Sequence, residues 1–170
     1  MRLTVVKQEE AVTINSVIRS RLEAQGFCNL DDTALAELAP WMRWSPALCS
    51  IITVMGVILN SPTILWSLAS VAFLGTILPF HPFDLLYNYG MRFLTKTRAL
   101  PNQGPQRRFA CGIATAWLVG TGWAFHLGAT PVGYALGISF IFVAGLVSVT
   151  HFCIPSLIYN TLFNAKNVSS

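Results

Sequence analysis

Two long stretches of the chain, residues 44–83 and 109–165, contain no Asp, Glu, Lys or Arg. Soluble domains carry roughly a quarter charged residues, whereas this chain has 11% charged and 54% hydrophobic residues. A charged side chain inside a bilayer costs several kcal/mol, and only helices or closed barrels satisfy their backbone there. The two stretches therefore predict an all-α, polytopic membrane protein.

Turn signals at residues 60–62 and 128–131 divide each stretch into two apolar segments. The pattern predicts four transmembrane helices, at about 46–60, 63–80, 109–127 and 131–150, arranged as two helical hairpins. The first segment is short for a bilayer. Trp41 and Trp44 precede it, and because aromatic residues are typical of membrane interfaces, they can complete the span.

The remaining sequence predicts a three-part organisation of the chain: residues 1–43 form a cytoplasmic, helical N-terminal extension, residues 44–165 the transmembrane domain and residues 166–170 a tail. Apolar spacing predicts a first helix over 9–25 and a second short helix from Asp31 or Asp32. The N-terminus lacks the apolar region of a signal peptide, so the first membrane segment is expected to be internal.

All eleven Lys and Arg residues fall in 1–43, 81–108 or the tail. An even number of spans places these three regions on one side of the membrane, and the positive-inside rule makes that side the cytoplasm. The net charge of +4 therefore reflects topology. The basic residues form no continuous stripe, so membrane lipids and not nucleic acid are the expected partners.

Two apolar segments between or after the spans are too short to cross a bilayer. Residues 84–94 are amphipathic and aromatic, which predicts a helix lying in the interface, where Asp84 caps the helix or pairs with Arg108. Residues 152–163 predict a second interfacial helix, interrupted near its start by Pro155.

Small residues recur at helical spacing in the third and fourth spans. Gly112 and Gly120 lie on the third span, and Gly133, Gly137 and Gly145 on the fourth. In lipid, such faces let helices approach closely. They predict packing inside the bundle, with homodimerisation or docking to another membrane protein as the alternative.

The predicted topology gathers Cys49, His81, Cys111, His151 and Cys153 at one depth, near the cytoplasmic face. Thiols and imidazoles bind Zn, Cu or Fe, and a thiol near a helix N-terminus can have a lowered pKa. We therefore predict His81, Cys111, His151 and Cys153 as candidate metal ligands. The alternative is that these side chains pack or bond to the backbone.

Two further residues stand apart from this layer. Cys28 lies in a polar loop and is predicted to be a free thiol. His126 lies near the external end of the third span, beside Trp123, where it is either an interfacial histidine or a heme ligand.

Three motifs stand near the cytoplasmic boundary: His81-Pro-Phe-Asp-Leu-Leu-Tyr-Asn-Tyr-Gly90, Arg107-Arg-Phe-Ala-Cys111 and Thr150-His-Phe-Cys-Ile-Pro-Ser-Leu-Ile-Tyr159. With them the chain resembles, over roughly residues 45–163, a bacterial family of small integral membrane proteins catalogued as a domain of unknown function. The resemblance implies a compact four-helix module in the bacterial inner membrane. Some relatives are associated with thioredoxin-like domains, which implies thiol chemistry.

The sequence contains no phosphate loop, CxxC pair or catalytic triad, and no carboxylate inside a span, which disfavours an ion-coupled transporter. We therefore expect a non-enzymatic accessory or assembly subunit of a larger membrane complex, respiratory or photosynthetic. Its partners would be other membrane proteins or a second copy of itself. The alternative is a membrane protein for thiol redox or for metal or heme binding that uses the Cys/His layer. No particular cofactor is specified by the sequence.

Overall fold

A computed structural model of the chain describes residues 15–27 and 30–164, and over these residues it contains helices and no strand. This confirms the predicted all-α class. Residues 9–14 of the first predicted helix, and Cys28, lie outside the described residues. In chain order the helices are α1 (Ser16–Glu23), α2 (Asp32–Leu38), α3 (Trp44–Ile58), α4 (Pro62–Ile77), α5 (Pro82–Leu86), α6 (Arg92–Thr95), α7 (Pro105–His126), α8 (Thr130–Thr150) and α9 (Ile154–Tyr159).

The long helices α3, α4, α7 and α8 form two hairpins, as the turn signals predict. Ser61 caps α4, with Pro62 in the first turn, where a missing N–H is tolerated. In the second hairpin, Gly128 adopts φ +75°, a backbone conformation that glycine enters without strain. The hairpins pack so that α3 lies against α8, and α4 lies against α7.

Side chains from both hairpins fill the core of the bundle. Thr53 and Thr121 are buried within it, and each hydroxyl donates to a backbone carbonyl one turn earlier, at 2.7 and 2.8 Å. No polar group of either side chain is therefore left without a partner in the apolar interior. The buried apolar residues are Val57, Leu65, Leu68, Ala69, Ala72, Leu118, Phe125 and Phe140.

The five predicted packing glycines meet different surroundings. A Cβ at Gly133 would lie 2.7 Å from the Phe125 ring, and a Cβ at Gly137 would overlap the Val57 side chain. At Gly112 it would make an ordinary contact with α4, at 3.6 Å. At Gly120 and Gly145, nothing lies within 4 Å. Gly133 and Gly137 therefore sit in helix contacts, whereas the last two face open space.

We expect Gly137→Ala to lower the free energy of unfolding by roughly 1–3 kcal/mol, because the new methyl group displaces Val57 and separates α3 from α8. The matched control is Gly120→Ala, which meets open space and should be neutral or slightly stabilising. Unfolding of both variants in mild detergent measures the difference. Equal stability of the two variants would contradict this packing.

Among residues 15–27 and 30–164, two helical segments are long and apolar enough to cross a membrane: Trp41–Ile58 and Thr130–Thr150. Pro62–Ile77 and Pro82–Thr95 form a third if the pair, bent by 86°, is one broken span. The first segment includes Trp41 and Trp44, as predicted. The structure thus supports two to three spans where the sequence predicts four. Arginines and frequent Gly, Thr and Trp residues make α7 less apolar than its neighbours.

The N-terminal helices share a second core with the 81–108 region, whose buried residues are Leu22, Phe27, Leu35, Leu38, Ala39, Met42, Tyr87 and Leu100. Polar contacts join the same end: Arg21 donates to the Thr150 carbonyl at 2.7 Å, and Asn160 donates to the Ala24 carbonyl at 2.9 Å. The N-terminal helices, the 81–108 region and the segment from Thr150 to Asn160 therefore meet at one end of the bundle, which we call the charged end.

The helix predicted over residues 84–94 is instead α5, a π-helical turn at Tyr87–Met91, and α6. This irregular segment buries Tyr87 completely, while Tyr89 and Leu94 are 78% and 79% exposed. It therefore has one face in the second core and one apolar face on the surface. The segment predicted over residues 152–163 forms α9, followed by a π-helical turn at Asn160–Asn164, and the tail at 166–170 lies outside the described residues.

Candidate thiol cavity

A cavity of about 120 Å³ lies at the charged end of the bundle, between α3, α7, α8 and the start of α9. Its walls are almost entirely apolar, and it is partly open to the outside. Its reactive side chains are three thiols and one imidazole, contributed by four different parts of the fold: Cys49, Cys111, Cys153 and His81. We call this site the thiol cavity.

Each thiol reaches the cavity from a helix end. Cys49 and Cys111 lie in the second turns of α3 and α7, and Cys153 is the N-cap of α9. All three are free thiols. Helix α9 packs directly on α7, where the Phe109 and Tyr159 rings lie 5.5 Å apart. This contact brings Cys153 to the same wall as Cys111.

His81 presents a hydrogen-bond donor beside Cys111. Its Nδ1 accepts from the Phe83 N–H at 3.2 Å, so the neutral ring carries its proton on Nε2. Both His81 Nε2 and Cys111 Sγ lie within 3.4 Å of the point where a Cβ at Gly75 would stand. Glycine at that position therefore lets the ring and the thiol come close. Burial lowers the pKa of His81, and this keeps the ring neutral.

A buried ion pair lies next to the cavity. Asp84 Oδ1 stands 3.9 Å from an Arg107 nitrogen, and the two side chains are 2% and 10% exposed. Asp84 also accepts hydrogen bonds from Ser45 and, at 3.4 Å, from Gln103. These donors compensate for the loss of water around the carboxylate.

Two predictions for Asp84 are wrong. Asp84 does not cap the helix of the 84–94 segment, because His81 is the N-cap of α5 and Asp84 lies in the first turn of that helix. Its partner is Arg107 and not Arg108. One residue further along α7, the Arg108 side chain points elsewhere and donates to the Thr76 and Ile77 carbonyls that end α4, at 2.9 and 2.7 Å.

Gln103 connects the ion pair to the thiols. Its backbone N–H donates to the Pro79 carbonyl at 2.7 Å, which holds the loop before α7 in place. Its side chain donates to Asp84, and its Oε1 lies 4.0 Å from the Cys111 sulfur, which donates to it. The electrostatic surroundings of Cys111 therefore include both the buried charges and the His81 ring.

His151 belongs to a neighbouring space and not to the thiol cavity. A cleft of about 390 Å³ runs between α1 and the start of α9, and His151, Cys153 and Gln25 line it. We call it the N-terminal cleft. Cys153 and Gln25 line both spaces. Cys153 therefore stands between the apolar cavity and a cleft at the charged surface.

His151 is held as a neutral acceptor. Arg43 Nε donates to its Nε2 at 2.7 Å, and Gln25 donates to its backbone carbonyl at 2.7 Å. Burial, followed by the nearby Arg43 and Arg21 cations, lowers the pKa of His151 to about 4. A protonated ring would place a second donor and a second positive charge against Arg43.

We expect the stability of the fold to fall as the pH is lowered from about 6.5 towards 4. In the unfolded chain His151 titrates near its ordinary pKa of about 6.5, so in this window the unfolded state binds the additional proton. Above about 6.5 the contribution is complete. Thermal unfolding of wild type and His151→Gln across this range measures the effect. An identical pH dependence of the two chains would contradict it.

The four predicted metal ligands do not converge on one point. His81, Cys111 and Cys153 line the thiol cavity, and His151 lines the N-terminal cleft. Within residues 15–27 and 30–164, no three His, Cys, Asp or Glu side chains are close enough to hold a metal ion. A metal role for these residues stays a prediction. His126 lies at the other end of α7, with its ring 5.4 and 5.6 Å from Trp66 and Trp123.

The sequence predicts that the thiols and His81 lie at one depth, and in the structure all four line the thiol cavity. The polar network beside them was not predicted. Ser45, Gln103 and Gln25 are uncharged residues in unremarkable sequence surroundings, so no pattern singled them out. Arg107 had a signal, because it lies two residues before a charge-free stretch and within one of the motifs. Its pairing with Asp84 depends on the direction of the side chain, which the sequence alone does not specify.

Comparison with known proteins identifies a family. Residues 39–163 match the family described as Domain of unknown function (DUF4395), and the chain therefore belongs to it. This confirms the resemblance drawn from the three motifs. No curated protein and no solved structure matches the chain.

Proposed function

We propose that this member of the DUF4395 family is an integral membrane protein that performs thiol–disulfide redox chemistry, with Cys111 and Cys153 as the reactive pair. The observation that carries the proposal is the position of Cys153, which lines both the thiol cavity, with Cys111, and the N-terminal cleft. In that place Cys153 can exchange a disulfide with another protein that arrives from the charged side, while Cys111 stays in the apolar cavity.

The proposal includes a membrane topology. We propose that α3, α4, α7 and α8 all cross the bacterial inner membrane and that both termini are cytoplasmic. Support comes from the contact between two basic regions, the N-terminal helices and residues 81–108, at one end and from the absence of charge in both turns at the opposite end. Large apolar side chains on the outer surface, such as Ile138 and Phe142, 60% and 71% exposed, are suited to lipid.

Two groups near Cys111 can interact favourably with a thiolate once it forms. The His81 Nε2–H is a donor near the sulfur, and the Arg107 guanidinium supplies positive charge on the same cavity wall. Both groups attract the negative charge of a thiolate, which is the nucleophile in disulfide exchange. When the pair is oxidised, two S–H bonds break and one S–S bond forms. Two electrons and two protons leave to an acceptor.

A redox titration of the full chain in membrane vesicles tests this function. The vesicles are equilibrated in a series of redox buffers, from reduced and oxidised dithiothreitol at the reducing end to reduced and oxidised glutathione at the oxidising end, and the remaining thiols are labelled with a maleimide mass tag. We expect one two-electron transition in which two of the four cysteines lose reactivity within a monomer. Four thiols that stay independently reactive across the range would overturn the proposal.

A second function is favoured by the surface of the bundle. A Cβ at Gly120 or Gly145 would meet nothing within 4 Å, so these small residues leave open space on α7 and α8. Small residues on a lipid-facing helix let another helix approach closely. This favours the accessory-subunit hypothesis, in which a respiratory or photosynthetic complex, or a second copy of the chain, is the partner.

Purification of the tagged chain in a mild detergent tests the second function. A stoichiometric membrane partner, lost in Gly120→Leu and Gly145→Leu, is the expected result. Gly112, which already contacts Thr76 on α4, offers a matched control: Gly112→Ala should leave the complex intact. A chain that migrates alone as a monomer would contradict this function.

A further inference from the structure

The thiol cavity has the polarity of a site for an amphipathic molecule. Towards the middle of the bundle its walls are formed by α7 and α8, with Trp117 and Phe140 in edge-to-face contact at 6.1 Å. The thiols, His81 and Arg107 stand together at the charged end, with Gln25 and Ser45 beside them. An apolar body would therefore lie between the helices, with a polar head against the sulfur atoms.

The size of the cavity matches one ring. Its volume of about 120 Å³ is close to the roughly 150 Å³ of an engineered protein cavity that takes up a benzene molecule. The partial opening of the cavity leaves room for a chain attached to that ring to continue outward. Water-soluble disulfides of ordinary size, with charged ends, do not fit such a lining.

Hydrogen-bond donors face the position of the head. His81 Nε2–H has no acceptor among the described side chains and backbone groups, and its Nδ1 is already engaged by Phe83. The Arg107 guanidinium, which also lines the cavity, donates to the Met42 carbonyl at 3.4 Å and has further N–H groups. These groups are suited to carbonyl oxygens on the ligand.

We propose that the thiol cavity binds an isoprenoid quinone, which is the electron acceptor for the Cys111–Cys153 pair. This inference rests on the proposed thiol function. The two S–H bonds break, the S–S bond forms, and two electrons and two protons convert the two quinone carbonyls into the hydroxyls of the hydroquinone. A thiol of a partner on the charged side then reaches Cys153 through the N-terminal cleft and takes over the disulfide by thiol–disulfide exchange.

The test uses the full chain in lipid nanodiscs, reduced and freed of reductant, with decylubiquinone as the probe. Because this quinone is fully substituted, thiols cannot add to its ring. We expect one quinone to be reduced per chain, with loss of two thiols. The absorbance of the quinone measures its reduction. Ala144→Leu fills the cavity, since Ala144 is part of its wall, and should slow the reaction tenfold or more. Ala135→Leu, on the exposed face of α8, is the matched control.

Diamide, a small thiol oxidant, distinguishes failure of the quinone inference from failure of the proposed thiol function. If diamide forms the Cys111–Cys153 disulfide but the quinone stays oxidised, the quinone inference is overturned and the thiol function stands. If neither reagent oxidises the pair, both fall. Reduction of the quinone at the same rate in wild type and Ala144→Leu would place the reaction outside the cavity and also overturn the inference. If Ala144→Leu does not fold, the wild-type reaction alone decides.

Discussion

Arg107→Met is expected to lower the free energy of unfolding by roughly 3–5 kcal/mol, because it leaves the Asp84 carboxylate buried without its cation. The Asp84 and Arg107 side chains are 2% and 10% exposed, so water cannot replace the lost partner. Methionine keeps much of the length of arginine and packs well in apolar surroundings. The predicted loss of stability therefore comes from the unpaired buried charge and not from a cavity left by a smaller side chain. Chemical unfolding in mild detergent measures it.

The matched control for this prediction is Arg98→Met. Arg98 contacts Asp31 and Glu37 at 3.7 and 3.5 Å, but its side chain is 59% exposed. Ion pairs of that kind contribute about 0–1 kcal/mol. In addition, Asp84→Asn combined with Arg107→Met should recover most of the stability, because the buried charge is then gone. A single Arg107→Met variant as stable as the Arg98 control would show that the pair is not buried as described.

Cys111→Ser is expected to abolish the two-electron redox transition completely. The proposed disulfide requires Cys111 on one side and Cys153 on the other, so Cys153→Ser should have the same effect. Cys49 lines the same cavity but not the N-terminal cleft, through which a partner would reach the pair. Cys49→Ser should therefore keep the transition. The thiol count of each variant in the titration provides the measurement.

Stability data accompany these cysteine variants, since serine in an apolar cavity lacks the packing of the sulfur atom. Cys49→Ser places the same chemical change in the same cavity and is the control for that effect. Loss of the transition in all three variants would point to a packing defect. Its retention in Cys111→Ser would exclude Cys111 from the reactive pair.

Much of the helical framework follows from local signals in the sequence. The turn between the first two segments combines Ser61 as a cap with a proline after it, and the second turn contains Gly128 at positive φ. These signals act over a few residues, so the helix ends near Ile58 and His126 could be placed closely. Membrane spanning could not be predicted as firmly for α7, whose basic first turn is partly buried in the fold.

The site was predictable in depth but not in detail. An even number of long helices brings Cys49, Cys111 and Cys153 to one level, which the sequence reveals. The wall that each thiol lines depends on the break of the chain after Thr150 and on the packing of α9 against α7. Such contacts join residues far apart in the chain. The same applies to Asp84, whose true cation is adjacent in sequence to the predicted one.

The central claim is that Cys111 and Cys153 form one redox pair in the thiol cavity. Peptide mapping by mass spectrometry, after oxidation of the full chain with diamide in nanodiscs and alkylation of the remaining thiols, tests this claim most directly. We predict a peptide that joins Cys111 to Cys153 within one chain, with Cys49 recovered as the alkylated thiol. A disulfide that involves Cys28 or joins two chains, or recovery of Cys111 and Cys153 as separate alkylated peptides, would contradict the claim.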